Sequence, residues 1–177
     1  YEVVHNGCYV ERYPEAPSAP QSRAPLVSYW TSPDRGLHHL LAAWPFVQRQ
    51  RPDARLRVHY EIDNVLKKLI KPVTATGGID AGQARLVAMR DAVLLAKNNP
   101  TIQFTGMLSR PALRRSQLET RVMCYPLDPG LGYTEGFSSS VAECCAAGTL
   151  PLIFPRDCLP SVYGGAVRWI QGQTSDK

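Results

Sequence analysis

Two glutamates in the stretch "YTEGFSSSVAECCAAGTLPLIF", Glu135 and Glu143, stand with seven residues between them. The first precedes a Gly-Phe-Ser-Ser-Ser turn, and the second lies about two helical turns into the segment that follows. "EGFSSS" follows a strand-like run and opens a helix-like one. Gly136 permits a tight turn, and the first amides of the helix, at the positive end of its dipole, then face outward as an anion site. Ser138, Ser139 and Ser140 are small enough for a phosphate to approach the backbone, and they add hydroxyl donors. Glu135 would accept hydrogen bonds from ligand hydroxyls in the same crevice. Phosphate on the backbone with hydroxyls on a carboxylate suggests a sugar phosphate. Competing readings remain open at this level. Glu135 also suits a solvated loop acid, and Ser140-Val141-Ala142-Glu143 fits a capping box, in which the acid reaches back to its own helix start.

Positioning such a loop requires a layered scaffold, and the rest of the chain reads as one. The chain's 177 residues, 44% hydrophobic, can bury a core of one domain or one lobe. Strand-like runs "PLVSYW", "ARLRVHY", "TIQFTG", "VMCYPL", "TLPLIFP" and a short "AVRWIQG" alternate with helix-like segments. Ser32, Pro33 and Asp34 signal the start of the first helix, whose Leu37, Leu40, Leu41 and Trp44 form a core stripe. "EIDNVLKKLIKPVTATGGIDAG" reads as a loop insertion with a short helix, and Ser109 as the N-cap of "SRPALRRSQLETR". The alternation predicts an α/β fold, a Rossmann-like parallel sheet with helices on both faces. Ligands of such sheets bind beyond the carboxyl ends of the strands, so the loops after Trp30, Tyr60, Thr105, Tyr125 and Phe154 carry the interest.

Composition narrows the classes. The net charge of +5 suits a phosphate-bearing ligand, whereas the basic residues are dispersed and unlike a nucleic-acid-binding stripe. Five cysteines without metal spacing argue against a disulfide framework or a zinc site and suggest a reducing, cytoplasmic setting. No apolar run is long enough to span a membrane, and no leader-like segment opens the chain at Tyr1. No G-x-G-x-x-G follows the first strand, which disfavours a dinucleotide-dependent oxidoreductase. A hydrolase acid/base pair is disfavoured too, because one acid is on the loop and the other deeper on a helix. His38 and His39 read as surface or packing residues, and His59 as packing on a strand.

The sequence resembles the carboxyl-terminal, nucleotide-sugar-binding lobe of retaining GT-B glycosyltransferases, the group that includes sucrose and glycogen synthases. "EGFSSSVAECCAAGTLP" is similar to that family's Glu–seven residues–Glu signature, with Ser138 at the usual Gly and Cys144 at the usual Ala. "VVHNGCYVERY", "SYWTSPDRGLHHLLAAW" and "IQFTGMLSRPALRR" resemble three further segments in order and spacing, so the likeness runs from about Val3 to about Tyr163. It implies a linker and leading segment over residues 1–25 and a Rossmann-like donor domain over 26–177.

The resemblance implies the following roles. Glu135 and Arg35 would be catalytic, the first on donor sugar hydroxyls and the second on the departing diphosphate, whose charge a fixed cation stabilises. Gly136, Phe137, Ser138, Ser139 and Ser140 would contact sugar and phosphates, and Glu143 the ribose. Gly106, Met107 and Leu108 would contact the base. Locally, Arg35 also reads as a solvated first-turn residue, and Gly106 as a plain strand-ending glycine. A basic residue expected about five positions before Arg35 is missing, with Tyr29 and Trp30 in that region. The implied reaction is retaining transfer from a nucleoside diphosphate sugar, with no cofactor and no metal. The partners would be the donor and the protein's own amino-terminal acceptor lobe, which leaves room for membrane-surface association through that lobe, but no nucleic acid. Since catalysis occurs between lobes, the chain alone is expected to bind donor and transfer poorly or not at all. The alternative is a non-catalytic nucleotide-sugar-binding module.

Overall fold

A computed structural model describes residues 7–14, 20–70, 81–127 and 134–171. The Gly-rich loop expected after Ile70, the residues just before Thr134, and Asn6 of the Asn-Gly turn lie outside them. The described residues form a six-stranded, all-parallel sheet in the order β3-β2-β1-β4-β5-β6. The strands are β1 Leu26–Tyr29, β2 Arg55–Val58, β3 Ile102–Phe104, β4 Val122–Tyr125, β5 Leu150–Ile153 and β6 Arg168–Trp169. The helices are α1 Leu37–Gln50, α2 Ile62–Leu69, α3 Ala81–Ala96, α4 Arg110–Glu119, α5 Ser139–Ala146 and α6 Leu159–Tyr163.

Alternation along each strand sorts the side chains into two cores, one per face. Val27 and Tyr29 of β1, Leu56 and Val58 of β2 and Cys124 of β4 join Leu37, Leu41, Trp44, Met89 and Val93 under α1–α3. Met123 and Tyr125 of β4 and Ile153 of β5 point the other way, to Leu113, Val141, Cys144 and Leu159 of α4–α6. This two-sided coverage is what a parallel sheet needs, and it is the predicted fold class.

Some local expectations change. Pro33–Arg35 form a 3-10 turn that ends at left-handed Gly36 (φ 100°), so α1 starts at Leu37 and not at the Ser32–Asp34 signals. Ser109 caps α4 as expected, its hydroxyl accepting from the Ala112 amide at 3.4 Å. The five-residue α6 was not foreseen. All five cysteines are free thiols. Among the described residues, no helix is long and apolar enough to cross a membrane.

Candidate functional site

The strand order reverses direction between β1 and β4, and the loops leaving the carboxyl ends of these strands part there to form a crevice. Arg35 reaches it from the turn after β1, and Glu135 from the loop after β4. Glu135 is buried, and its Oε2 accepts hydrogen bonds from the Tyr125 hydroxyl at 2.8 Å and from Arg35 Nη1 at 3.1 Å. The same guanidinium nitrogen lies 3.4 Å from the Tyr125 oxygen, which closes a three-member cluster. The loop after β5 fixes the backbone of Glu135. Its amide donates to Asp157 Oδ2 at 2.8 Å, and its carbonyl accepts from the Cys158 thiol at 3.0 Å.

The next turn is held as firmly. Ser138 occupies the left-handed region (φ 61°, ψ 84°), which explains why a glycine is the easier residue at this position. Tyr163 of α6 donates its hydroxyl to both the Phe137 and Ser138 carbonyls, at 2.8 and 2.9 Å, and so clamps the turn. Burial pushes the Tyr163 phenol well above its ordinary range, so it stays a donor. α5 begins at Ser139, with Ser139 and Ser140 in its first turn. A cleft of about 610 Å³ opens over this turn, lined by Arg35, Glu135 and Gly136–Ser140. A second cavity, about 590 Å³, shares Gly7 and Ser139 with it and continues past Glu143, Arg110 and Tyr13. Both volumes are in the range of small-molecule sites.

Glu143 faces this second cavity. Its carboxylate accepts from Gln117 Nε2 at 3.1 Å and from Arg110 Nη1 at 3.3 Å, both on α4. The capping-box alternative is thereby corrected. The N-cap is Ser138, Ser140 is inside the helix, and the acid turns sideways to α4 and not back to its own first turn. Trp30 is buried at the end of β1, its indole N–H 3.3 Å from the Ser140 carbonyl, so an apolar ring stands where a second cation was expected.

Gly106, Met107 and Leu108 line neither cavity. Gly106 has φ 69°, Met107 is exposed, and Leu108 lines a separate hollow of about 240 Å³ beside His59 and Ser116. His59 is buried, bonded to the Thr105 and Ser116 hydroxyls at 2.7 and 2.9 Å. Tyr125, Asp157, Tyr163 and Gln117 were not singled out from the sequence. Tyr125 carried a signal, as the last residue of a strand whose loop was expected to bear the site. No group of three or more His, Cys, Asp or Glu among the described residues could hold a metal ion.

No protein-family model matches the sequence, nor does any curated protein. Solved structures do. The pneumococcal O-GlcNAc transferase GtfA, solved with UDP and GlcNAc, superposes with a TM-score of 0.56 over 89% of this chain at 15% identity. Sucrose-phosphate synthase from Thermosynechococcus elongatus matches 85% of the chain with a TM-score of 0.56 at 18% identity. Anabaena Alr3699/HepE, solved with UDP and glucose, matches 88% with a TM-score of 0.57 at 13% identity. The chain spans 26%, 33% and 38% of those three proteins, respectively, and has the fold of one lobe of a GT-B glycosyltransferase.

Proposed function

We propose that this chain is the donor-binding lobe of a glycosyltransferase that moves a sugar from a nucleoside diphosphate to an acceptor with retention of anomeric configuration. One observation carries the reading: Arg35 and Glu135, the first turn of α5, and Glu143 follow one another along two neighbouring cavities that share Gly7 and Ser139 in their walls. That order suits the sugar, the diphosphate and the ribose of one ligand. Glu135, held by Tyr125 and Arg35, would accept from sugar hydroxyls. The amides of Ser139 and Ser140, at the positive end of the helix, would face the diphosphate. Arg35 would stabilise the charge that develops as the nucleoside diphosphate leaves. These groups ask for no metal and no further cofactor. UDP in the GtfA and HepE structures supports a nucleotide donor here, and the sequence resemblance supports retention. Gly106–Leu108 then contact the base only if the loop after β3 moves toward the second cavity. The acceptor, and any membrane surface it lies on, would belong to an amino-terminal lobe in the full-length protein, placed in the cytoplasm.

Calorimetric titration with UDP, GDP and ADP, alone and as sugar conjugates, tests the reading in wild type and Glu143→Ala. We expect one nucleotide to bind and Glu143→Ala to weaken it about tenfold, the loss of roughly one charged hydrogen-bonding partner. No binding of any of the three at millimolar concentration, or binding indifferent to the substitution, would sink it.

A further inference from the structure

Gln117 lies behind Glu143, with a polar side chain that the scheme above does not use. Its residue is 1% exposed, although it carries an amide with two donors and an acceptor. Nε2 donates to Glu143 Oε2 at 3.1 Å, and Oε1 accepts from the Tyr13 hydroxyl at 2.7 Å. Among the described residues Oε1 has no other hydrogen-bonding partner. The ionised carboxylate only accepts, so the amide must present its nitrogen there; the carbonyl end then requires a donor on the other side. Tyr13 is that donor. Burial, and then the neighbouring charge of Glu143, push its phenol up to about 12, which keeps its proton in place.

We infer that Gln117 is a positioning residue that orients the Glu143 carboxylate toward the vicinal hydroxyls of the donor ribose, with Tyr13 locking the amide in its working orientation. The inference rests on the donor reading above. The geometry divides the two oxygens of Glu143. Oε2 is tied to a buried amide, whereas Oε1 meets Arg110, whose side chain is 82% exposed and yields cheaply to a ligand. A carboxylate torsion is broad when nothing fixes it, so one buried donor is enough to define the plane that receives two adjacent hydroxyls. Without the Tyr13 hydroxyl, Oε1 is left buried and unpaired, and the amide is held from the Glu143 side alone.

Tyr13 also belongs to the leading segment, whose Gly7, Cys8, Tyr9 and Arg12 line the same cavity. The relay therefore makes ribose recognition depend on how that segment is seated. Neither Tyr13 nor Gln117 need touch the ligand's reacting atoms for this.

The test is titration of wild type, Tyr13→Phe and Gln117→Met with UDP, GDP and ADP, each in parallel with its 2′-deoxy form, with a thermal melt of each protein. Tyr13→Phe keeps the ring and its packing, so it folds even if Gln117→Met does not. We expect wild type to prefer the ribonucleotide about tenfold and Tyr13→Phe to lose most of that preference, its melting temperature little changed. An unchanged preference, or an equal loss for both nucleotides, would overturn the inference, since a purely structural role lowers both affinities alike. Wild-type binding with no preference for the 2′-hydroxyl would overturn it alone and leave the donor reading standing. No nucleotide binding to wild type would take both down together.

Discussion

The Arg35–Glu135 pair can be put to a thermodynamic test before any ligand is known. The Glu135 side chain is 8% exposed and that of Arg35 36%, with nitrogen and oxygen 3.1 Å apart. At that separation two unit charges attract by about 5 kcal/mol in an effective dielectric of ~20. Desolvating the carboxylate offsets about half of that, and a guanidinium one-third exposed is partly screened. The net coupling should be about 2 kcal/mol, between the values for open surface pairs and for fully buried ones. A double-mutant cycle over Arg35→Gln and Glu135→Gln, read by urea unfolding, measures it directly. Arg35→Gln alone should lower the melting temperature by about 4–8 °C for a domain of this size, because it strands a buried carboxylate. Adding Glu135→Gln should restore most of the loss, since a neutral amide needs no counter-charge. A coupling below about 0.5 kcal/mol would refute the reasoning. Arg35 would then be a surface residue that happens to lie near Glu135, unable to order it.

Two more predictions concern the frame around the site. Burial, followed by the charge of Arg57, lowers the His59 pKa to about 4. The unfolded chain, titrating near 6.5, therefore takes up the proton first; stability is full above that value and falls by up to about 3 kcal/mol as pH drops toward 4. His59→Gln should lack this component when urea midpoints at pH 7 and pH 4.5 are compared, and equal acid sensitivity would refute the assignment. Ser138→Gly should stabilise by up to about 1 kcal/mol, the left-handed penalty relieved less the glycine entropy, and a lower melting temperature would show that the Ser138 side chain holds the turn.

How much of this was legible in the sequence depends on how local each feature is. Strands such as Leu26–Tyr29 and Val122–Tyr125 show in their apolar runs, and the α4 start in Ser109 followed by Pro111, because neighbours within four residues decide them. The Ser140–Glu143 spacing misleads for the same reason. It satisfies a local template, while Gln117 and Arg110 on another helix settle where the carboxylate goes. Asp157 and Tyr163 hold Glu135 and Ser138 across 22 and 25 residues, and nothing near either pair announces it. α6 is too short at five residues to develop a helical period. The Arg35–Glu135 meeting, across 100 residues, was anticipated only through the resemblance.

The junction between β1 and β4 has a mechanical meaning. β1 and β2 align over four residue pairs, as do β4 and β5, whereas β1 and β4 align over two, Val27 with Val122 and Ser28 with Met123. The two central pairs on either side are thus joined by a narrower seam, and the crevice opens at the end of that seam. Arg35 hangs from one half; Glu135 and the first turn of α5 hang from the other. A molecule gripped by both works as a rivet across this seam. It would suppress parting of the halves more than unfolding of either, and the amides along the seam would feel its arrival first.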